Sequence, residues 1–276
     1  MLIDADKVSA LLQLSLDGSF TLAAKNLAMT QPALSKKISR LEDELEISLV
    51  VRGQKKVTLT DAGIELIRYH KLKRDLDLEL VEKLSLKEGQ SSVGGSIDIA
   101  AYSSVARSVV LPQLAHLSQQ FSRLRLNMIV REVYELEQTL TSGEVSFVVS
   151  PHPIVSNGVI HKKIGLEKNV LIYPNQEHFP DVYLDHDTSD QTTINFFRQH
   201  GKSFHGRRSF FSDVYAIIDA VSYGFGKAVV SEHLVQDRKD ILVDSNFSPM
   251  VSEIYLSYYE RSYYPKVQEA VIESFY

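Results

Sequence analysis

The first 63 residues carry an apolar repeat typical of short amphipathic helices. A first helix is predicted after Asp4 or Asp6, either of which can cap it, and Gly18 is expected to end it. Its apolar face comprises Val8, Leu11, Leu12, Leu14 and Leu16. Ser19 is predicted to cap a second helix over residues 20–27, where a pair of alanines suits a close helix–helix crossing.

A third helix is predicted after Thr30, with Pro32 in its first turn, where a missing N–H costs nothing. The positions that recur at helical spacing, and so turn inward, are Leu34, Ile38, Leu41 and Leu45. Two β-prone runs follow at residues 49–60, around a turn with Gly, Gln and two Lys. We interpret them as a small hairpin, or wing, and Thr60 as the cap of the next helix.

Residues 64–88 contain no Gly or Pro and predict one long helix. Its apolar stripe comprises Leu66, Tyr69, Leu72, Leu76, Leu80 and Leu84. Spacings of three and four are typical of a helix packed against a partner. That partner can be another subunit or the chain's own domains.

Residues 93–276 alternate β-rich runs with helical patterns, as α/β domains do, after a Gly- and Ser-rich linker at residues 89–96. The first half predicts strands at residues 96–102, 124–130 and 145–150, with helices from about Ser103 and over residues 133–142. This βαβαβ order demands a mostly parallel sheet.

A second group of elements is predicted further along the chain. It comprises strands at residues 169–174, 183–185, 207–211 and 228–231, and helices at residues 189–200 and 213–223. The chain is expected to return to the first group near residues 232–242 and to form a late strand at residues 253–259.

The distribution of charge matters more than its sum. A net charge of −5 argues weakly against a nucleic-acid partner, but residues 20–60 hold seven Lys and Arg against four Asp and Glu. The chain has no Cys, which excludes disulfides and thiolate chemistry. There is neither a signal-peptide pattern nor an apolar run near the roughly 20 residues that span a bilayer, so we expect a cytoplasmic protein with no membrane partner.

The third helix has the composition that a DNA major groove accepts. Gln can pair with a base edge, Ala and Pro can pack on thymine methyl groups, and Ser, Lys and Arg reach phosphates. We predict binding to double-stranded DNA through Gln31, Pro32, Ala33, Ser35, Lys36, Ser39 and Arg40 of the helix and Arg52, Lys55 and Lys56 of the wing. A three-helix module with incidental bases is the alternative.

Residues 20–49, FTLAAKNLAMTQPALSKKISRLEDELEISL, and residues 55–63, KKVTLTDAG, resemble the DNA-binding domain of LysR-type transcriptional regulators. Three positions depart from the family pattern: Glu46 stands where Gly is usual, Val50 where Phe is usual, and Val51 where an acid is usual. They follow the recognition helix, so they concern local packing more than DNA reading.

The resemblance implies the fold class: an α/β chain with an N-terminal all-α winged helix-turn-helix and a two-lobed, periplasmic-binding-protein-like regulatory domain. The predicted domains are the DNA-binding domain at 1–63, the linker helix and hinge at 64–92, lobe I at 93–168 and 237–276, and lobe II at 169–236. The resemblance also implies that the linker helix pairs with its copy in a homodimer or homotetramer. We favour this pairing over packing on the chain's own domains, because two-fold DNA sites need two heads.

The resemblance further implies a ligand in the cleft between the lobes. In such sheets ligands lie at the carboxyl ends of strands and at helix N-termini, which attract anions. This selects Ser103, Ser104, Ser150, His152, Thr188, Ser189 and Phe225 as candidate effector-binding residues. Each also has a structural reading, as a helix cap or an exposed loop residue. We expect a small anionic effector that alters oligomer geometry on DNA, with RNA polymerase as a further candidate partner.

Two other readings stay open: a solute-binding protein with an appended helix-turn-helix, and a regulator with no small-molecule ligand. An enzyme is not expected, because the sequence has no G-x-S-x-G, H-E-x-x-H, Walker A or Rossmann glycine pattern. No cofactor or metal is expected either, since the His residues are scattered.

Overall fold

The N-terminal head consists of three helices and a hairpin. The computed structural model describes residues 3–53, 56–85, 94–121 and 123–275. The elements of the head are α1 (Ala5–Asp17), α2 (Phe20–Asn26), α3 (Gln31–Leu45), β1 (Val50–Arg52) and β2 (Val57–Leu59). Strands β1 and β2 pair antiparallel. The predicted helix-turn-helix and hairpin are both confirmed.

Side-chain caps start these helices where the sequence predicts them. The Asp4 carboxylate accepts the backbone N–H of Asp6 at 3.0 Å, so Asp4 caps α1. The hydroxyls of Ser19 and Thr30 accept N–H groups in the first turns of α2 and α3. Gly18 ends α1 in the left-handed region, with φ 61°. Local side-chain chemistry therefore sets the helix boundaries of the head.

The core of the head forms around the inward face of α3. Leu34, Ile38 and Leu41 are fully buried there, as predicted, and Leu45 is partly buried. The expectation for Leu16 of α1 is wrong, because its side chain is 55% exposed. At 100° per residue, Leu16 lies about 160° around the helix from the buried Leu14.

Helix α4 (Asp61–Ser85) connects the head to the rest of the chain. The Thr60 hydroxyl accepts the N–H of Gly63 at 3.1 Å, which confirms it as the cap. Leu66 and Ile67 in the first turns of α4 belong to the core of the head. The helix is therefore rooted in the DNA-binding domain.

The next turns of α4 present charged side chains to the regulatory domain. The Lys71 ammonium donates to two backbone carbonyls at residues 143–144, at 2.7 and 2.8 Å. Asp75 is 3% exposed and accepts from the Ser96 hydroxyl at 2.7 Å and the Gln268 amide at 3.0 Å. This face of the helix is docked on its own chain.

Another face of α4 stays exposed and apolar. Tyr69, Leu80 and Leu84 are 51%, 55% and 77% exposed. At 100° per residue they fall within about 60° of one another and roughly opposite Asp75. The predicted stripe is therefore divided: Leu66 packs in the head and the last positions face outward.

The regulatory domain is built on a mixed sheet. Its strands are β3 (Gly94–Ala101), β4 (Arg123–Val130), β5 (Phe147–Ser150), β6 (Val159–Pro174), β9 (Ala228–Ser231), β10 (Ile241–Val243) and β11 (Met250–Tyr259), while β7 (Val182–Asp185) and β8 (Arg207–Phe210) pair separately. The order is β10–β6–β11–β5–β3–β4, with β9 also on β6. The predicted parallel arrangement holds for β4, β3 and β5, but the other pairs in this sheet are antiparallel.

The helices of this domain are α5 (Ser103–Val105), α6 (Leu111–Gln120), α7 (Val133–Thr141), α8 (Thr192–Gln199), α9 (Val214–Ser222) and α10 (Lys266–Ser274). The sequence predicts one helix from about Ser103, but a π-helical turn at Ala106–Val110 separates it into α5 and α6. Pro112 in the first turn of α6 has no N–H, so the regular hydrogen-bond ladder cannot continue through it. Among the described residues, no helix is long and apolar enough to cross a membrane.

Strand β6 is 16 residues long and runs through both lobes. Its first half, with Val159 and Ile164, packs on the lobe I core, and its second half, with Val170 and Ile172, lies in the lobe II core. Strand β11 pairs along it over ten residues. Both strands are longer than predicted, and together they form a continuous ribbon between the lobes.

Lobe II is also longer than the sequence predicts. Ile241 belongs to its core together with Ile217. Phe247 packs against the rings of Phe196 and Phe197. Residues 237–249 therefore lie with lobe II rather than lobe I, and the chain returns with β11.

Glu46 ends α3 in the left-handed region, with φ 55°. A residue with a Cβ is strained there by about 1 kcal/mol, so Glu46→Gly should raise the free energy of unfolding of the head by about that amount. Urea denaturation of the full chain measures the change. Asp43→Gly, inside the helix, is the control and should lower the same free energy by about 0.5–1 kcal/mol. Destabilisation by both substitutions would show that Glu46 is not strained.

Candidate DNA-binding surface and effector cleft

The outer face of α3 carries the predicted DNA-contacting side chains. Gln31, Pro32, Ala33, Lys36 and Arg40 are exposed, and Ser35 and Ser39 are half-buried. The packing of Leu34 and Ile38 into the head core fixes which face is presented. A helix exposed in this way is what a DNA major groove accepts.

Neighbouring lysines of α3 have different surroundings. The Lys37 ammonium pairs with the Asp6 carboxylate of α1, and its side chain is largely covered. Its charge is therefore taken up within the head. Lys36, one residue earlier, is exposed, so it is the lysine placed to meet a phosphate.

The hairpin lies against the end of α1. The Val57 N–H donates to the Gly18 carbonyl at 2.8 Å. The stem of Lys56 passes beside Gly18, where an added Cβ would lie 2.6 Å from Lys56 Cε. Gly18 thus allows both the chain reversal and the close approach of Lys56. Arg52 belongs to β1, and Lys55 lies outside the described residues.

Glu42 ties the hairpin to α3. Its Oε1 accepts the backbone N–H groups of Leu49 at 2.7 Å and Val50 at 3.2 Å. The start of the wing is therefore fixed relative to the recognition helix. The head can place α3 in a major groove and the wing beside the adjacent backbone at the same time.

A cavity of about 630 Å³ lies between the two lobes. It opens where β3, β5 and β7 end, as the strand-end rule predicts. Four of the predicted effector residues line it, namely Ser103, Ser104, His152 and Ser189. The structure thus brings these four together, while their role in binding stays a prediction.

The other three predicted effector residues lie elsewhere. Ser150 is buried and its hydroxyl donates to the His152 carbonyl at 2.7 Å, so it shapes the loop. Thr188 is exposed, and Phe225 is 56% exposed and packs on another phenyl ring of lobe II. These three are absent from the described residues that line the cavity. Phe225 precedes β9, whereas the cavity lies at the opposite end of that strand, at Ser231.

A buried carboxylate in the cavity wall was missed by sequence reasoning. Glu167 of β6 is 4% exposed and lines the cavity. Its Oε1 accepts the hydroxyls of Ser104 at 2.6 Å and Ser231 at 2.5 Å, and its Oε2 accepts that of Tyr102 at 2.9 Å. Burial and the adjacent carboxylate raise the pKa of Tyr102, so its hydroxyl stays a donor. The three hydroxyls come from both lobes.

The lobe II wall is also acidic. Asp185 is 2% exposed and accepts from Arg208 Nε and the Thr193 hydroxyl, both at 2.5 Å. Burial raises the pKa of Asp185, and these hydrogen bonds oppose the change. Hydrogen bonds from the hydroxyl and N–H of Ser189 lower the pKa of Asp187. Asp187 therefore keeps its negative charge beside the cavity.

A winged helix-turn-helix joined to a two-lobed domain with a ligand-sized cleft defines a DNA-binding regulator with a sensory domain. Residues 6–64 match the family model for the bacterial regulatory helix-turn-helix proteins of the lysR family, and residues 90–275 match the LysR substrate binding domain. The chain belongs to the LysR family of bacterial transcriptional regulators. It is a DNA-binding regulator with an effector-binding domain, and the family consists of regulators rather than enzymes.

Two curated relatives show the extent of the likeness. The probable HTH-type transcriptional regulator LrrA of Synechococcus elongatus is 31% identical over 161 residues, which is 58% of this chain and 54% of that protein. The RuBisCO operon transcriptional regulator of Allochromatium vinosum is 28% identical over 262 residues, which is 87% of this chain and 84% of that protein.

Solved structures share the whole fold. The crystal structure of ArgP from Mycobacterium tuberculosis has a TM-score of 0.74 at 16% identity, over 100% of this chain and 96% of that one. Full-length LysG from Corynebacterium glutamicum, with bound effector Arg, has a TM-score of 0.67 at 18% identity, over 99% of this chain and 98% of that one. At these identities the likeness establishes the arrangement of head, linker helix and two lobes.

Lys36→Ala should weaken binding to every duplex by a similar factor, because a phosphate contact carries no sequence information. The slope of log affinity against log salt concentration should fall by about 1 for each head in contact. Fluorescence anisotropy titrations of the full chain at several salt concentrations measure both. Lys239→Ala removes an exposed lysine of lobe II and should change neither. A loss confined to one sequence would contradict the assignment of Lys36.

Gln31→Ala should instead change which sequence is preferred, because the amide at the start of α3 is placed to pair with a base edge. The discrimination at one base pair should fall by about 1–3 kcal/mol. Selection of bound duplexes from a random pool, for wild type and variant, measures it. An unchanged preference would show that Gln31 does not read a base.

Proposed function

We propose that this chain works as a homodimer or homotetramer that reads a specific duplex, and that an effector in the cleft alters how the subunits sit on the DNA. The helix residues assigned to DNA are Gln31, Pro32, Ala33, Ser35, Lys36, Ser39 and Arg40, with Arg52, Lys55 and Lys56 in the wing. Because its partner in this proposal is double-stranded DNA, the proposal places it in the cytoplasm. Contact with RNA polymerase stays a prediction.

The observation that carries the coupling is the course of β3. Near its start, Ser96 donates to Asp75 of α4, and Asp98 lies 3.7 Å from the Lys71 ammonium. Past its end, Tyr102 and Ser104 line the cleft. One strand of about 20 Å therefore joins the effector site to the helix that carries the head.

Through β3, an effector in the cleft can change the position of the head. A ligand that binds one arrangement of the lobes more tightly shifts the population toward it. A displacement of β3 moves Ser96 and Asp98, and so changes their contacts with Asp75 and Lys71 of α4. These contacts set the angle of α4. In an oligomer, that angle sets the separation of the two heads on DNA.

The support for an oligomer is the free apolar face of α4. Tyr69, Leu80 and Leu84 share one side of the helix while the charged side docks on lobe I. An exposed row of this kind on a long helix favours pairing with a second copy. One face of α4 contacts the chain's own lobe I, and the other face is available for a second subunit.

Leu80→Glu combined with Leu84→Glu should convert the oligomer into monomers at micromolar concentration, because two carboxylates would face the apolar seam. Sedimentation velocity of the full chain measures the state. Lys168→Gln combined with Lys239→Gln changes the charge by the same amount at exposed positions outside α4 and should leave the oligomer intact. An oligomer that survives the leucine substitutions would place the interface elsewhere.

The proposal as a whole is tested by selecting genomic fragments with the purified full chain. We expect enrichment of a two-fold symmetric site, with affinity that falls steeply as salt concentration rises. Ligand binding with no duplex affinity would favour a solute-binding protein with an appended head. A footprint that no ligand alters would leave DNA binding standing and remove the effector coupling.

A further inference from the structure

The charges around the cleft are one-sided. The acidic residues that line it are Glu132, Glu167, Asp185, Asp187 and Asp190, and no Lys or Arg occurs among the described residues of the lining. Arg208, behind the wall, pairs with Asp185 alone of these five. His152 and His186 are the histidines of the lining. An anion entering this space meets repulsion from four carboxylates that lack a basic partner in the wall.

The positions that usually hold an anionic ligand are already filled by the chain's own acids. At the start of α8, the Asp190 carboxylate accepts the N–H groups of Thr192 at 2.8 Å and His186 at 3.1 Å. At the start of α7, the Glu135 carboxylate accepts the N–H of Glu132 at 3.1 Å. The N-termini of α7 and α8, which would attract anions, are therefore occupied from within the molecule.

The hydroxyl of Ser104, after β3, is committed in the same way. The Ser104 hydroxyl donates to Glu167, together with those of Tyr102 and Ser231. Three donors on one carboxyl group fit the carboxylate form, which only accepts. The Glu167 side chain therefore lies in the cleft wall beside a serine that the sequence assigned to an anionic effector.

We propose that the effector cleft of this chain binds a small organic cation, a primary amine or a guanidinium compound, with Glu167 as its anchor. This rests on the proposed function, in which the cleft is the effector site. The cation replaces the missing basic partner of the lining, and its N–H groups meet the carboxylates that face the cavity. Neutral polar side chains complete the walls, among them Asn169, Asn195 and Gln199. The sequence-based prediction of an anionic effector is not favoured by these charges.

Thermal unfolding of the full chain with matched probes tests the proposal. The cations are 1,4-diaminobutane and 4-guanidinobutylamine, the anion is succinate with the same four-carbon span, and ionic strength is held constant with NaCl. We expect the cations to raise Tm by several degrees at 10 mM, since a ligand that binds the folded state stabilises it. Succinate should produce no shift.

Two substitutions connect the effect to the cleft. Glu167→Gln should weaken cation binding at least tenfold by isothermal titration, and Glu132→Gln, at the rim, should weaken it severalfold without disturbing the buried hydroxyl cluster. Glu177→Gln, an exposed acid outside the lining, should leave the affinity unchanged.

The outcomes separate the two proposals. Stabilisation by succinate, an equal response to both charges, or a cation response that survives Glu167→Gln and Glu132→Gln overturns the cationic assignment. Failure of all the probes to bind overturns it as well. Duplex affinity, measured on the same preparations, reports independently on the proposed function.

Discussion

Two charged side chains of α4, the largely covered Lys71 and the buried Asp75, determine how the DNA-binding head is seated on the sensory domain. Burial lowers the pKa of Lys71 and raises that of Asp75, so both charges are disfavoured unless they are partnered. The backbone carbonyls at residues 143–144, Ser96 and Gln268 supply the partners. Losing one of these partners would leave a charge that burial disfavours, so this seating of the head on lobe I is favoured over arrangements that break the contacts.

A clasp of hydrogen bonds around Glu167 likewise joins the two lobes across the cleft. Ser104 from lobe I and Ser231 from the lobe II side share one oxygen of Glu167. Nearby, the hydroxyl of Ser108 and Nε2 of His233 lie 2.7 Å apart, again across the two lobes. These contacts hold the lobes at a defined separation. In the mechanism proposed above, a ligand at Glu167 acts directly on this clasp, and β3 carries the change to Asp75.

The sequence specified the head far better than the cleft. Caps such as Ser19 and Thr30 and the inward set around Ile38 are local signals, and the helices form where those signals lie. Strand β6 was underestimated because charged residues interrupt its first half, and only pairing with β11 makes that segment a strand. The predicted end of lobe II was too early for the same reason, since Phe247 packs against residues about 50 positions earlier in the chain.

The site residues follow the same division. Ser103 and His152 reach the cavity because they follow strands whose ends meet at one edge. Phe225 does not, because the Gly-rich turn that contains it enters β9 at the end remote from the cavity. Glu167 lies just before the strand predicted at residues 169–174, where a lone acidic residue is expected to face solvent. Its three hydroxyl partners are 63–65 residues away in sequence, so their convergence is a tertiary property.

The ribbon of β6 and β11 gives the sensor a particular mechanical character. Hydrogen-bonded strands cross the boundary between the lobes, with a bulge between Ile254 and Tyr255 as the irregular point. Under the proposed function, an effector that moves the lobes works against this ribbon. Release of the effector is then sufficient to restore the resting arrangement.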